Sequence, residues 1–202
     1  MIQRLAAEVS LRSRRHKLRL FLDHIAPTPE TTVVDVGVAD APFGEGEGQA
    51  ATYNFLEAMY PWPEKITAVS VDDLPHFREA FPRIRTVQAD GRDLPFADHE
   101  FDVAFSNAVV EHLGDRASQE QFVRELCRVA RRVFVTTPNR LFPIDPHTLL
   151  PLVHWLPTSA RERFLRRPDL HLRPLSPSEF RALFPYPVRL VSRGLTLTAV
   201  GP

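Results

Sequence analysis

The sequence predicts an α/β fold: a parallel sheet covered by helices on both faces. Three observations carry that reading. Short β-branched or apolar runs recur at residues 32–37, 66–71, 85–88, 101–105 and 133–136, each of strand length. Segments with apolar residues at helical spacing fall between them. Acids or small polar residues stand just past the runs, as expected where a parallel sheet presents its carboxyl ends.

In chain order, residues 5–25 read as an N-terminal helix, with Leu18, Phe21, Leu22 and Ile25 on one face. Arg12, Arg14, Arg15, Lys17 and Arg19 crowd the same segment, which suits a solvated face or a contact with an anionic group. Pro27 and Pro29 end it. The first strand, 32–37, ends in Asp35-Val36-Gly37, and a helix over 50–60 aligns Phe55, Leu56 and Met59 before Pro61-Trp62-Pro63. The second strand, 66–71, runs into Asp72-Asp73, and a short helix over 76–81 leads to a third strand, 85–88, followed by Asp90-Gly91. The fourth strand, 101–105, a helix over 119–130 with Phe122, Leu126 and Val129 aligned, and a fifth strand, 133–136, continue the alternation. A proline-rich stretch follows. Ser176 then caps a helix over 176–184 with Pro177 at its first position, and strands at 188–191 and 195–200 close the chain.

With 202 residues the chain has the length of one domain with a full core. Its 25 basic and 25 acidic side chains balance, so it lacks the cationic excess of a general nucleic-acid binder. Cys127 is the sole cysteine. No internal disulfide or cysteine-based zinc site is expected, and its helical setting marks it as a core residue. Neither a signal-peptide run nor a stretch of membrane-spanning length occurs in the sequence, so the default expectation is a cytoplasmic enzyme.

In an open α/β sheet the ligand lies beyond the carboxyl ends of the strands, where their order reverses. The candidate binding residues therefore follow the first four strands: Asp35 and Gly37, Asp72 or its neighbour Asp73, Asp90 and Gly91, then Ser106 and Asn107. A carboxylate after the second strand can accept hydrogen bonds from both hydroxyls of a ribose. A dinucleotide would need bare amides facing its pyrophosphate, and the first loop instead carries Asp40, Glu45 and Glu47. These acids repel phosphate and tolerate a cationic ligand. Asp102, inside the fourth strand, is expected to cap backbone amides rather than touch ligand.

Residues 33–37, 69–72, the run Ala89-Asp90-Gly91-Arg92-Asp93-Leu94-Pro95-Phe96 and the run from Phe101 through Asn107-Ala108 to Glu111-His112-Leu113 resemble successive motifs of class I S-adenosylmethionine-dependent methyltransferases. The similarity is greatest to the methyltransferase type 11 group, over residues 31–139. It implies a Rossmann-like sheet of seven strands, mostly parallel, with the last one antiparallel. It also implies a single methyltransferase domain over 1–202, S-adenosylmethionine as cofactor, and a metabolite, sugar or lipid-like acceptor. By the same resemblance Asp35 and Gly37 frame the methionine end of the cofactor, with Val38 and Ala39 as weaker contacts. Asp72 takes the ribose, Asp90 meets the adenine amino group, and Asn107-Ala108 line the methyl-transfer face. Ala39 and Ala41 stand where the family loop has glycines, a departure that suggests a different loop path. The loop runs into Asn54-Phe55-Leu56-Glu57, a pattern similar to that of a set of bacterial methyltransferases.

Methyl transfer from a sulfonium demands alignment first; a base helps where the acceptor must lose a proton. His147, with Asp145 to orient it, and His112 are the candidate catalytic residues, and Arg140 is a candidate to hold an anionic group. His147 lies on an acceptor-side insert at about 139–175. Asp145-Pro146-His147 and Asp169-Leu170-His171 lack the spacing of a metal site, and no metal is expected. Three other readings compete: a silent S-adenosylmethionine-binding or scaffolding protein, supported by Ala39 and Ala41; a nicotinamide oxidoreductase, opposed by the acidic loop; and an RNA methyltransferase using the arginine-rich segments.

Overall fold

A computed structural model describes residues 2–40, 54–143, 155 and 173–202. The loop over 41–53 and most of the insert, including Asp145 and His147, lie outside the described residues. Helix α1 spans Ile2–Ile25, β1 Val33–Val36, α2 Phe55–Met59, β2 Ile66–Ser70, α3 Pro75–Ala80 and β3 Arg85–Gln88. Strand β4 (Phe101–Asn107), α4 (Arg116–Val129), β5 (Ala130–Pro138), α5 (Pro177–Arg181), β6 (Arg189–Arg193) and β7 (Thr196–Gly201) complete the order. A single 3-10 turn, Val110–His112, links β4 to α4.

The seven strands form one sheet in the order β3-β2-β1-β4-β5-β7-β6. The first five pair in parallel, while β7 runs antiparallel to both β5 and β6. This is the Rossmann-like, mostly parallel arrangement that the alternating elements predict. Several boundaries differ from the sequence reading. The helix expected over 119–130 begins at Arg116, because Asp115 caps it by accepting from the Ser118 amide at 2.8 Å. It ends at Val129, and Ala130 already belongs to β5, which runs far beyond the expected 133–136. Tertiary pairing with β4 and β7 extends that strand past the apolar run.

Alternate side chains send two cores to opposite faces of the sheet, as the period of two requires. Val34, Val36 and Ala104 pack with Phe122, Leu126 and Val129 of α4 and Phe180 of α5. Val33, Val103, Phe105 and Phe134 pack with Phe21 of α1, Phe55 of α2 and Phe77 of α3. Phe21 meets Tyr60, Phe105 and Phe134 edge-on, with centroids 5.3–5.9 Å apart. These rings fix α1 across the β1, β4 and β5 side of the sheet, near the strand ends that matter below. Among the described residues no helix is long and apolar enough to cross a membrane.

Candidate active site

The strand order reverses between β1 and β4, and there the ladder opens. The last paired residues are Asp35 and Phe105. Beyond them Ser106 Oγ donates to the Val36 carbonyl at 2.9 Å in place of a backbone bond. The chain then turns away at Gly37, whose amide donates to the Val69 carbonyl at 2.9 Å. Gly37 adopts φ +105°, and a Cβ there would lie 2.2 Å from Val109 Cγ2. Conformation and space both demand glycine.

The opening is a small, half-open cavity lined by Asp35, Gly37, Val38, Asn107, Phe105 and the segment from Asn54 to Glu57. Four of the residues expected from sequence (Asp35, Gly37, Val38 and Asn107) are thus brought together. Asn54 replaces the missing loop glycines in an unexpected way. Its side-chain amide clamps Ala39 on both sides, accepting from the Ala39 amide at 3.1 Å and donating to the Ala39 carbonyl at 2.9 Å. Asp40 is tied down as well: it accepts from the Phe77 amide of α3 and pairs with His76 Nδ1, both at 2.8 Å. It serves as a cap and not as a free loop charge, which weakens its part in the argument from loop acidity.

Glu57, one helical turn beyond Asn54, was legible only as part of a helix, yet it lines the cavity beside Asp35. Both side chains are buried, at 4% and 6% exposure. Neither Glu57 oxygen meets a hydrogen-bond donor among the described residues. Burial, and then the neighbouring Glu57 charge, push the Asp35 carboxyl well above the usual carboxylate range. Burial raises Glu57 too. Like-charged carboxyls out of water cannot both ionise cheaply.

On the other side of the cavity, Asn107 Oδ1 accepts two bonds at 2.8 Å, from Lys17 Nζ of α1 and from Thr136 Oγ1 of β5. With its oxygen so engaged, Asn107 offers its NH₂ group to the cavity as a donor. Lys17 is buried, and its pKa falls to about 8, through burial first and the Arg14 charge second, with Glu111 working against them. The following residue, Ala108, adopts φ +59°, strain that is uncommon outside glycine. The N-terminal basic cluster therefore supplies one site residue that the sequence did not single out.

The other expected residues stand around this cavity without lining it. Asp72 and Asp73 follow β2. Asp73 accepts from the Leu74 amide at 2.9 Å and pairs with Arg78 at 2.8 Å, whereas no hydrogen bond or ion pair engages the Asp72 carboxylate among the described residues. Asp90 is gripped by the Arg92 guanidinium, 2.6 Å from Nη2, and by the Arg92 amide. Gly91 serves packing: a Cβ would come within 2.5 Å of Phe122 and 2.9 Å of Val36. Asp102 accepts from the Thr32 amide and hydroxyl, both at 2.9 Å, as a backbone cap. His112 is half-exposed on the turn after β4, its Nε2 4.0 Å from Glu111 Oε1. Glu111 in turn accepts from Thr137 at 3.0 Å.

A seven-stranded sheet of this order, with a cavity at its switch point, a carboxylate at the end of β1 and others after β2 and β3, is a Rossmann-like scaffold suited to a nucleoside-bearing ligand. A family model described as "Methyltransferase domain" matches residues 43–133. A protein of Mycobacterium tuberculosis named a probable S-adenosylmethionine-dependent methyltransferase is 36% identical over 133 residues, covering 59% of this chain and 44% of the relative. A similarly named protein of Mycolicibacterium smegmatis is 33% identical over 109 residues, covering 52% and 38%. The chain thus spans less than half the length of these curated relatives. Among solved structures, a methyltransferase from Thermotoga maritima aligns with a TM-score of 0.59 at 16% identity, covering 98% of this chain and 91% of that one. A Burkholderia thailandensis 1,6-didemethyltoxoflavin N1-methyltransferase, solved with S-adenosylhomocysteine, aligns at 0.55 and 18%, covering 93% and 77%; such identities speak to the fold. Residues 43–133 are thus similar to the methyltransferase domain family, and the fold is shared with solved S-adenosylmethionine-dependent methyltransferases.

Proposed function

We propose that the chain binds S-adenosylmethionine across the carboxyl ends of β1 to β4 and transfers its methyl group to a small-molecule acceptor. The observation that carries this reading is the cavity at the switch point, with buried acids on one wall and the Asn107 amide on the other. The residues suit that cofactor: Asp72 has a carboxylate unengaged for a ribose, and Glu57 has oxygens without donors for a cationic group. When bound, the cofactor supplies an electrophilic methyl on its sulfonium. The chain's part is to hold donor and acceptor in line and to keep water out. Asp35, Gly37 and Val38 frame the methionine end, with Ala39 held behind them by Asn54. Asp72 takes the ribose, Asp90 and Gly91 border the adenine side, and Asn107-Ala108 form the transfer face.

His147, on the insert, is our candidate for drawing a proton from the acceptor, with His112, on the turn after β4, as the alternative. His147→Ala is expected to slow turnover by about 10²–10³-fold while cofactor affinity holds. A second reading, a silent binder of the same cofactor, is favoured by the Arg92 grip on Asp90. Calorimetry tests both. S-adenosylmethionine and S-adenosylhomocysteine are expected to bind and NAD is not; methyl transfer to a panel of metabolite, sugar and lipid-like acceptors then separates enzyme from silent binder. Binding of NAD without response to S-adenosylmethionine would overturn the reading.

A further inference from the structure

The pairing of Asp35 and Glu57 is not demanded by the fold. Each carboxyl is buried, they come from different elements, and both line the same cavity. Burying an ionised carboxylate without a partner costs several kcal/mol, and among the described residues Glu57 meets no donor beyond a proton held with Asp35. Phe55 and Leu56, its neighbours on α2, pack in the aromatic core, so the helix is held with Glu57 turned into the cavity rather than toward water. The Glu57 oxygens, beside Asp35, are therefore acceptors open to a cation with several N–H donors.

We propose that Asp35 and Glu57 together seat the α-ammonium of the methyl donor, and that docking of the donor expels a proton from the pair. This rests on the cofactor reading above. An ammonium has three N–H donors and can bridge both carboxylates, whereas the sulfonium has none. Among the described residues the charged groups nearby are few. On α1 stand Lys17, bonded to Asn107 across the cavity, and Arg14 beside it. Glu111 lies beyond them on the turn after β4. Lys17, the buried cation of α1, is thus already committed to Asn107.

Buried against one cavity, the two carboxyls cannot both ionise cheaply, so the free pair retains a proton between them. The incoming ammonium stabilises the doubly ionised pair, the shared proton passes to solvent, and no bond to carbon changes. Binding is then linked to pH by one proton.

Titration calorimetry of the full chain with S-adenosylhomocysteine, near pH 7 in two buffers of different ionisation enthalpy, reads the proton count directly. About one proton released per ligand is expected. Decarboxylated S-adenosylmethionine, which keeps the amine, should release it too. Methylthioadenosine, which lacks the amine, should bind without release. Glu57→Gln, close to isosteric, should weaken S-adenosylhomocysteine by about 10–100-fold, leave methylthioadenosine within about twofold, and abolish the release. The wild-type buffer comparison stands even if the variant fails to fold. Binding of S-adenosylhomocysteine without proton release, or with release that methylthioadenosine equals, would overturn the seat while leaving the cofactor reading intact. No binding of any of the three ligands would overturn both.

Discussion

Lys17 Nζ lies 2.8 Å from Asn107 Oδ1, a contact between residues 90 positions apart that joins the N-terminal helix to the mouth of the cavity. Its energetic sign is readable. The lysine holds its proton to about 8 in the folded chain, against 10.5 for its ordinary value. Between those values the unfolded chain binds a proton that the folded chain has released, so this group makes stability rise with pH across that window.

Lys17→Met should therefore be more stable than the wild type at pH 7, by about 2–3 kcal/mol. The gap should close as pH approaches 10. Urea denaturation at a series of pH values measures this, and a constant gap would show that the lysine is not titrating in that range. The same variant frees Asn107 from one of its two donors, so weaker cofactor binding should accompany the added stability.

Glu57→Gln makes the matching prediction from the acid side. A folded-state pKa raised by burial means that the folded chain keeps protons that the unfolded chain has already lost. Stability from this pair therefore falls as pH rises from the ordinary carboxylate range towards neutrality. At pH 7 the variant should gain about 1–3 kcal/mol, or several degrees in Tm, with the gain shrinking towards pH 4. Thermal unfolding at pH 4.5 and 7 gives the comparison.

Gly37→Ala should cost about 3 kcal/mol or more, because φ of +105° and the Val109 clash act together. Adding Val109→Ala should recover the steric part and leave the backbone part. Urea midpoints of the single and double variants separate the two contributions. Equal midpoints would mean that the loop moves rather than collides.

Asp72→Ala and Asp73→Ala should divide binding from folding. Asp73 accepts from the Leu74 amide at the entry to α3 and pairs with Arg78, so its loss should lower Tm and barely touch cofactor affinity. Asp72 makes no such bonds, and its loss should weaken S-adenosylhomocysteine by about 10–100-fold at unchanged Tm. Exchange of these roles in calorimetry and thermal melts would move the ribose contact by one residue.

The parallel strands were legible because each is a short β-branched or apolar run followed by a turn signal. β3 was read at its observed limits, residues 85–88. β5 was read too short, since its last residues are held by β7, a partner distant in sequence. At the site, strand-end residues such as Asp35, Gly37 and Asn107 could be found because topology places them there. Glu57 and Lys17 could not be found that way. Each sits on an amphipathic helix where a charged residue ordinarily faces water, and only packing of Phe55 and Phe21 shows that these charges turn inward.

Arg132 of β5 donates to the carbonyls of His24 at 2.6 Å and Ile25 at 2.7 Å, closing the far end of α1. Together with Lys17 it sets the helix in phase, because positions 17 and 24 are two turns apart and share a face. A one-residue deletion between them would rotate Lys17 by about 100° away from Asn107 while the terminal clasp stayed closed. Removing a whole turn's worth of residues would nearly restore its azimuth but displace it along the axis by about 5 Å. This segment of the chain should therefore tolerate substitution on its outer face far more readily than any change of length, and its residue count acts as a ruler for the site.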